Sequence, residues 1–314
     1  MDRQAGMPQV SVLLPVRDGA RTLALALASV LQQSFADFEL LVLDDGSADA
    51  TAEIALAFGD ARVRLLRDGM QLGLAARLNQ GIAAAAGRYI ARMDADDVCF
   101  PDRFARQAAR LDTDAKLDLV GCRALVFDDS GAATGLFPWR LNHEAICARP
   151  WNGFYLVHPS WMGRTAWFRR YGYATAALER AQDQELLLRA YRGSRFATLD
   201  EVLLGYRMGP VALRKTLAAR RCLLAAQMRQ FAQQRQWRDV LLALAATAIK
   251  LPRDLLFAAP AGRRWRDRRG GGIPPGLERA WSELLVSLYQ RLDELRLPHE
   301  RGGASSQQPR AQTR

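Results

Sequence analysis

The run Tyr89-Ile90-Ala91-Arg92-Met93 ends in three carboxylates, Asp94, Asp96 and Asp97. A strand of this kind ordinarily gives way to Gly, Asn or Ser at a turn. Crowded carboxylates repel one another, and something positive has to offset them. A hard divalent cation meets that need, held by one or two carboxylates while substrate phosphates complete its shell. Asp94 and Asp96 stand two apart, so on leaving a strand both can face one pocket. A solvated acidic turn would carry the same residues, and the neighbouring chain decides between the two.

What precedes the carboxylates is an alternating α/β pattern. Val10-Ser11-Val12-Leu13-Leu14-Pro15-Val16 carries no charge, as expected of a strand covered on both faces. Residues 22–32 place Leu23, Leu27, Val30 and Leu31 on one side of a helix. A second strand over 38–43 runs into Asp44-Asp45-Gly46-Ser47, and Ser47 or Asp49 is placed to cap the helix that follows. A short strand over 63–66 and a helix over 74–86, with Gly87 as its C-cap, lead to the strand that starts at Tyr89. Such alternation implies right-handed crossovers and a mostly parallel sheet flanked by helices. Ligands of these sheets sit outside the carboxyl ends of the strands. Three of those ends carry Pro15-Val16-Arg17-Asp18, Asp44-Asp45 and Asp94-Ala95-Asp96, and their convergence makes a site.

The motifs resemble those of family 2 glycosyltransferases of the GT-A fold, which are Rossmann-like, inverting and dependent on nucleotide sugars. The resemblance lies in Leu14-Pro15-Val16-Arg17-Asp18-Gly19, in Ser29-Val30-Leu31-Gln32-Gln33-Ser34-Phe35, in Val42-Leu43-Asp44-Asp45-Gly46-Ser47 and in Asn79-Gln80-Gly81-Ile82. It continues through Gly87-Arg88-Tyr89 to Asp94-Ala95-Asp96-Asp97, then His158-Pro159-Ser160-Trp161-Met162, Ala181-Gln182-Asp183-Gln184-Glu185 and Tyr206-Arg207, in the family's order. The resemblance implies that Asp45, with Asp44 beside it, meets the nucleotide base, and that Pro15 and Val16 lie against the nucleoside. It further implies that Asp94 reaches the ribose, that Asp96, with Asp94, holds Mn²⁺ or Mg²⁺ at the diphosphate, and that Asp183 is the catalytic base. The donor it implies is a UDP-sugar, with GDP or dTDP as other nucleotides.

That assignment agrees with the chemistry. Transfer from a sugar diphosphate needs charge stabilised on the departing phosphate, which a metal supplies. An acceptor hydroxyl must lose its proton as the new bond forms, and a carboxylate can take it. One displacement with one base inverts the anomeric centre, unlike the paired carboxylates of glycosidases. Asp183 falls near the start of a helix expected over 179–191, where acids also occur for the helix dipole alone. The sequence departs from the family at Gln182, where Glu is frequent, at Asp18, where Asn is frequent, and at Arg77, one residue before the usual place; Arg77 is therefore left out of the site. His158 reads either as a core histidine or as a neighbour of the diphosphate, and Arg207 either as a phosphate partner or as the cap of a last strand. Trp151, Tyr155, Trp161 and Trp167 suit a sugar platform and a hydrophobic core equally.

The positive charge is confined to one end of the chain. Residues 1–213 carry 24 Lys/Arg against 25 Asp/Glu, whereas residues 214–314 carry 20 against 8. We expect a catalytic domain over 1–213 and a basic helical extension over 214–269. A Gly/Pro linker with an amphipathic helix should occupy 270–300, and a disordered tail 301–314. The uncharged run 240–249, bordered by Arg238 and Lys250, is about half the ~20 residues that span a bilayer. It suits an in-plane contact with anionic lipid or a buried helix packed on the catalytic domain. The helix carrying Trp281, Leu284, Leu285, Leu288 and Leu292 would dock within the chain or pair with a second copy as a homodimer. Four cysteines without paired spacing, and no leader pattern, point to a cytoplasmic protein, peripheral on the inner face of the membrane.

The function expected is hexosyl transfer from a nucleotide sugar to a glycan or glycolipid acceptor in bacterial cell-surface polysaccharide synthesis. Two alternatives differ in class. A sugar nucleotidyltransferase of the same fold would have a glycine-rich phosphate loop where Pro15-Val16-Arg17-Asp18-Gly19-Ala20 stands. A non-catalytic protein binding nucleic acid or membrane would account for the basic tail, but no nucleic-acid module accompanies the charge.

Overall fold

The computed structural model describes residues 7–175, 180–209, 213–258 and 272–299. The expected disordered tail over 301–314 and the arginine-rich run 263–269 lie outside the described residues. The first half is the alternating unit read from the sequence. It comprises β1 (Val10–Val16), α1 (Leu23–Leu31), β2 (Phe38–Asp44), α2 (Thr51–Ala57), β3 (Val63–Arg67), α3 (Leu74–Ala84) and β4 (Tyr89–Arg92). These four strands pair in parallel in the order β3-β2-β1-β4, with Val16 opposite Asp44 and Leu13 opposite Arg92.

β1 is buried along its whole length because it faces two cores. Val10, Val12, Leu14 and Val16 pack with α1, and Leu13 packs with Leu41, Leu43, Leu78 and Ile82 on the α3 side. Gly87 is not the cap of α3. The helix ends at Ala84 with Ala85 extended, and Gly87 is where that loop presses on β1: a Cβ there would lie 2.5 Å from the Ser11 amide nitrogen. Its own N–H donates to Ser11 Oγ at 2.8 Å.

Beyond β4 the sheet is mixed, with antiparallel pairings entering beside further parallel ones. β5 (Val98–Cys99), α4 (Arg103–Thr113), β6 (Leu119–Phe127), β7 (Ala133–Leu136) and α5 (His143–Cys147) come next. β8 (Met162–Arg164), α6 (Thr165–Tyr171), α7 (Gln182–Ala190) and β9 (Phe196–Arg207) complete the unit. β8 runs antiparallel between β4 and β6, β9 runs parallel to β6, and β5 and β7 pair antiparallel at β9 and β6. From α4, the buried Arg103 donates to the Arg92 carbonyl at 2.7 Å, and Gln107 donates to Val120 O and Ser160 O at 3.0 and 2.7 Å. These bonds fix the exit of β4.

The remaining helices are α8 (Leu213–Gln233), α9 (Trp237–Ala258) and α10 (Pro275–Glu294). α8 and α9 form a hairpin turned at Arg235, whose φ is 56°; Phe231 is fully buried, and Gln227 donates to Pro150 O at 2.8 Å. α10 lies on α1 and belongs to the catalytic core. Trp281, Leu285, Leu288 and Leu292 are buried in the same cluster as β1 and α1, and the Trp281 indole donates to Gly131 O at 2.8 Å. Of the two docking partners expected for this face, the chain itself occupies it. Among the described residues no helix is long and apolar enough to cross a membrane.

Candidate active site

The C-terminal ends of β1 and β4 open on a cleft of 340 Å³, lined by Pro15, Val16, Asp18, Asp94, Asp96 and Arg207 among others. The turn after β1 is shaped by Asp18, whose φ of 48° is one that Asn and Asp adopt more readily than other side chains. That is why Asp serves where Asn is frequent. Asp18 receives its own hold there: its amide donates to Ser47 Oγ, and its carboxylate accepts from the Ala48 amide, each at 2.9 Å.

Asp94, Asp96 and Asp97 come together, with one carboxylate oxygen from each lying within 4.8 Å of the others. Asp97 is 1% exposed; its Oδ1 accepts from the Arg207 amide at 2.8 Å, while its Oδ2 has no hydrogen-bond partner. Burial, then the charge of Asp94, raises the Asp96 carboxyl to about 6. Burial and the two neighbouring acids push Asp97 well above the carboxylate range. Three crowded oxygen donors, one of them buried and unpartnered, fit Mn²⁺ or Mg²⁺.

The main positive charge inside the protein at this point is Arg92, which the sequence reading left unassigned. Its side chain is 3% exposed and pairs with Asp94, and Nε and Nη1 have no hydrogen-bond partner. Burial disfavours its charged form, but Asp94 outweighs burial and holds the guanidinium more firmly protonated than usual. A single arginine inside an otherwise apolar strand was the available signal. Arg207, by contrast, lines the cleft: it stacks over Phe127 and donates from Nε to Asp96 O at 3.0 Å.

Asp44 and Asp45 work within the fold. Asp44 is fully buried, accepts from the Ser47 amide at 2.9 Å and faces Arg67 Nε at 3.0 Å. Asp45 Oδ1 accepts from the Leu72 and Gly73 amides at 2.6 and 3.0 Å and from Arg77 Nε at 3.1 Å. Arg77 is fully buried and also binds Asp68, Gln80 Oε1 and Met70 O. Together they lash the loop 68–73 to the end of β2.

Leu72 and Gly73 line a second cleft, of 820 Å³, shared with Asp183, Tyr206 and the α8 residues Lys215, Thr216 and Arg220. Neighbouring residues at the end of β9 line the two clefts, Tyr206 one and Arg207 the other. Asp183 sits in the first turn of α7, which starts after Ala181 with φ of 62°, so the helix is shorter than expected. Burial raises the Asp183 carboxyl above its ordinary range, against the hydrogen bond from Gln184. Gln184 is itself fixed by Phe154, whose amide donates to it at 2.8 Å.

His158 is a satisfied, partly buried histidine. Its Nε2 and the Tyr173 hydroxyl are 2.7 Å apart, its ring stands edge-on to Trp161, and burial next to Arg92 holds it neutral. Asn79 grips the Tyr173 backbone at both N–H and C=O, each at 2.8 Å. Trp161 and Trp167 are core residues.

Residues 11–172 match the sequence profile of Glycosyl transferase family 2. The chain belongs to that family. EpsE of Bacillus subtilis is 34% identical over 62% of this chain and 72% of its own length. WfgD of Escherichia coli, a UDP-Glc:alpha-D-GlcNAc-diphosphoundecaprenol beta-1,3-glucosyltransferase, is 35% identical over 32% of this chain and 40% of its own length. Among solved structures, the family 2 chain shares its fold with the mannosyltransferase PcManGT from Pyrobaculum calidifontis in complex with GDP-Man and Mn²⁺. The TM-score is 0.56 at 18% identity, covering 93% of this chain and 83% of that one. The mixed α/β fold with a curled sheet and the glycosyltransferase activity follow from the family.

Proposed function

We propose that this glycosyltransferase moves a hexosyl group from a nucleoside-diphosphate sugar, a UDP-sugar in the first instance, to a hydroxyl of a glycan or lipid-linked acceptor. Two neighbouring clefts support the proposal: Asp94 and Asp96 line one, Asp183 lines the other, and Arg92 pairs with Asp94 while acting on Asp183. In this reading Pro15 and Val16 lie against the nucleoside, Asp45 and the loop it holds face the base, and Asp94 takes the ribose. Asp94 and Asp96 would hold the ion, with the unpartnered Asp97 Oδ2 as a further oxygen. A divalent cation bound there would neutralise charge gathering on the departing diphosphate.

The acceptor enters the larger cleft with its hydroxyl against Asp183. As the acceptor oxygen bonds to the anomeric carbon, the bond from that carbon to the β-phosphate oxygen breaks and the hydroxyl proton passes to Asp183. The configuration inverts. A base whose carboxyl is raised by burial takes that proton more readily than an ordinary carboxylate. The name of WfgD supports both the UDP-sugar donor and a lipid-linked acceptor, and PcManGT supports Mn²⁺. Synthesis of bacterial surface polysaccharide is the setting that agrees with these relatives.

The test is thermal denaturation with UDP-, GDP- and dTDP-sugars, each with Mn²⁺ and with EDTA. Ligand at about 100 times its Kd adds about 2.7 kcal/mol of stability. One nucleotide should raise the midpoint only with metal present. Equal midpoints throughout would overturn the donor assignment.

A further inference from the structure

The polarity of α9 is inside out. Ile249 is 76% exposed, Leu241 68%, Trp237 63%, Leu255 50%, Leu244 46% and Leu251 41%. Residues 237, 241, 244, 248 and 255 recur at helical spacing and lie on one face. Arg238 is the one charged residue exposed on this helix among the described side chains. The polar groups point inward instead: Lys250 donates to Asn152 O at 2.8 Å, and Asp254 pairs with Arg220. A helix anchored on a protein by its charges, with leucine and isoleucine turned to solvent, is stable in water only at a cost. Among the described residues nothing covers this face.

We infer that this face of α9 is a docking surface for an anionic lipid bilayer, on which the helix lies in the plane of the headgroups. The charge selects the occupant. Residues 213–258 contain nine Lys/Arg and two Asp. Arg235 and Arg238 flank the exposed Trp237, and Arg221 and Arg229 of α8 are also exposed. An apolar stripe rimmed by cations, with an indole at one end, matches the acyl boundary and phosphates of a lipid surface. A second copy of the chain would bring a like-charged rim against this one. The surface is also tied to the catalytic cleft, because Arg220 lines that cleft and binds Asp254 beside Leu255.

The test is flotation of the full chain with vesicles of phosphatidylcholine alone and of phosphatidylcholine with phosphatidylglycerol. Low and high salt are compared. The variant is L241S/L244S/I249S, all three positions being exposed. The wild type should float with the anionic vesicles and far less with the neutral ones, and salt should weaken the binding. The triple variant should lose more than roughly tenfold in partitioning. Its circular dichroism and its midpoint shift with Mn²⁺ and nucleotide should match the wild type. Wild-type protein that stays in solution with every vesicle overturns the inference, as does a triple variant that binds like the wild type. A dimer in solution that the triple variant abolishes, without vesicle binding, assigns the face to a second copy and also overturns it. The flotation does not depend on donor turnover, so it and the nucleotide assay fail separately.

Discussion

Removing the Trp281 side chain should destabilise the catalytic core, although the residue lies in a helix that the sequence separates from it. The indole is 1% exposed, with ring centroids 4.8 Å from Phe127 and 5.9 Å from Phe100. A tryptophan buries about 150–250 Å², and at ~25 cal/mol/Å² its transfer contributes about 4–6 kcal/mol as an upper figure. Buried aromatic-to-alanine changes cost about 3–5 kcal/mol, and Trp281→Ala belongs in that range. At ~2.1 cal/mol/K of unfolding entropy per residue, a chain of this length should lose about 5–8 °C in midpoint. Gly205 gives an independent check, since a Cβ there would lie 2.4 Å from Trp281 Cζ3. Gly205→Ala alone should cost about 1–3 kcal/mol through overpacking. Trp281→Phe removes the atoms that the new methyl would strike, so G205A/W281F should cost less than the sum of its single changes by about 1 kcal/mol. Differential scanning calorimetry of the four proteins measures the cycle. A midpoint for Trp281→Ala within a degree of wild type, or strict additivity, would refute the docking of α10.

Asp96→Ala should abolish Mn²⁺-dependent nucleotide binding while the protein remains folded, because the Asp96 side chain lines the cleft; unchanged affinity by calorimetry would remove Asp96 from the metal set. Asp183→Asn keeps the shape of the side chain and its contact with Gln184 but removes the base, so transfer should fall by roughly 10²–10⁴ with donor affinity little changed. The wild-type rate should climb as pH rises through a value above 3.8, since the base works deprotonated and burial raises its carboxyl. An acid limb at or below 3.8, or full turnover by Asp183→Asn, would place the base elsewhere.

β1, β2 and β4 were legible because each is buried along its length and reads as a largely apolar run; β3 is only half-buried at the sheet edge, and it was legible because each crossover is local. The strand ends were legible through their acids: the fold brings Pro15, Val16, Asp94 and Asp96 to one cleft, with Asp183 on the next. The mixed second half was not. β6 pairs with β9 across some seventy intervening residues, and nothing in either strand names its partner. Gly87 was misread for a related reason, since a glycine after a helix signals a cap, whereas contact with Ser11 is a fact about two distant segments. α10 displayed its apolar face plainly, but periodicity cannot say what that face meets. Arg77 was set aside because it stands one residue from its usual place; the structure gives it the Asp45–loop connection instead.

The charges around the two clefts bear on the two duties proposed for their acids. Asp94, Asp96 and Asp97 share a small volume, and Arg92 pairs directly with Asp94 alone. The unpaired pair, Asp96 and Asp97, is raised by burial and by its neighbours, which is the state of a cluster short of positive charge. A divalent cation would supply that charge, and in the proposed reading its binding would relieve repulsion already built in. Asp183 is raised chiefly by burial, and Arg92 nearby lowers it slightly; no second acid figures among the causes. Environments that move two sets of carboxyls for different reasons suit them to the separate metal and proton roles proposed above. Arg92 acts on both sides: it pairs with Asp94, and its charge disfavours protonation of both Asp183 and His158. That makes the lone arginine inside β4 a charge shared by the carboxylate cluster and Asp183.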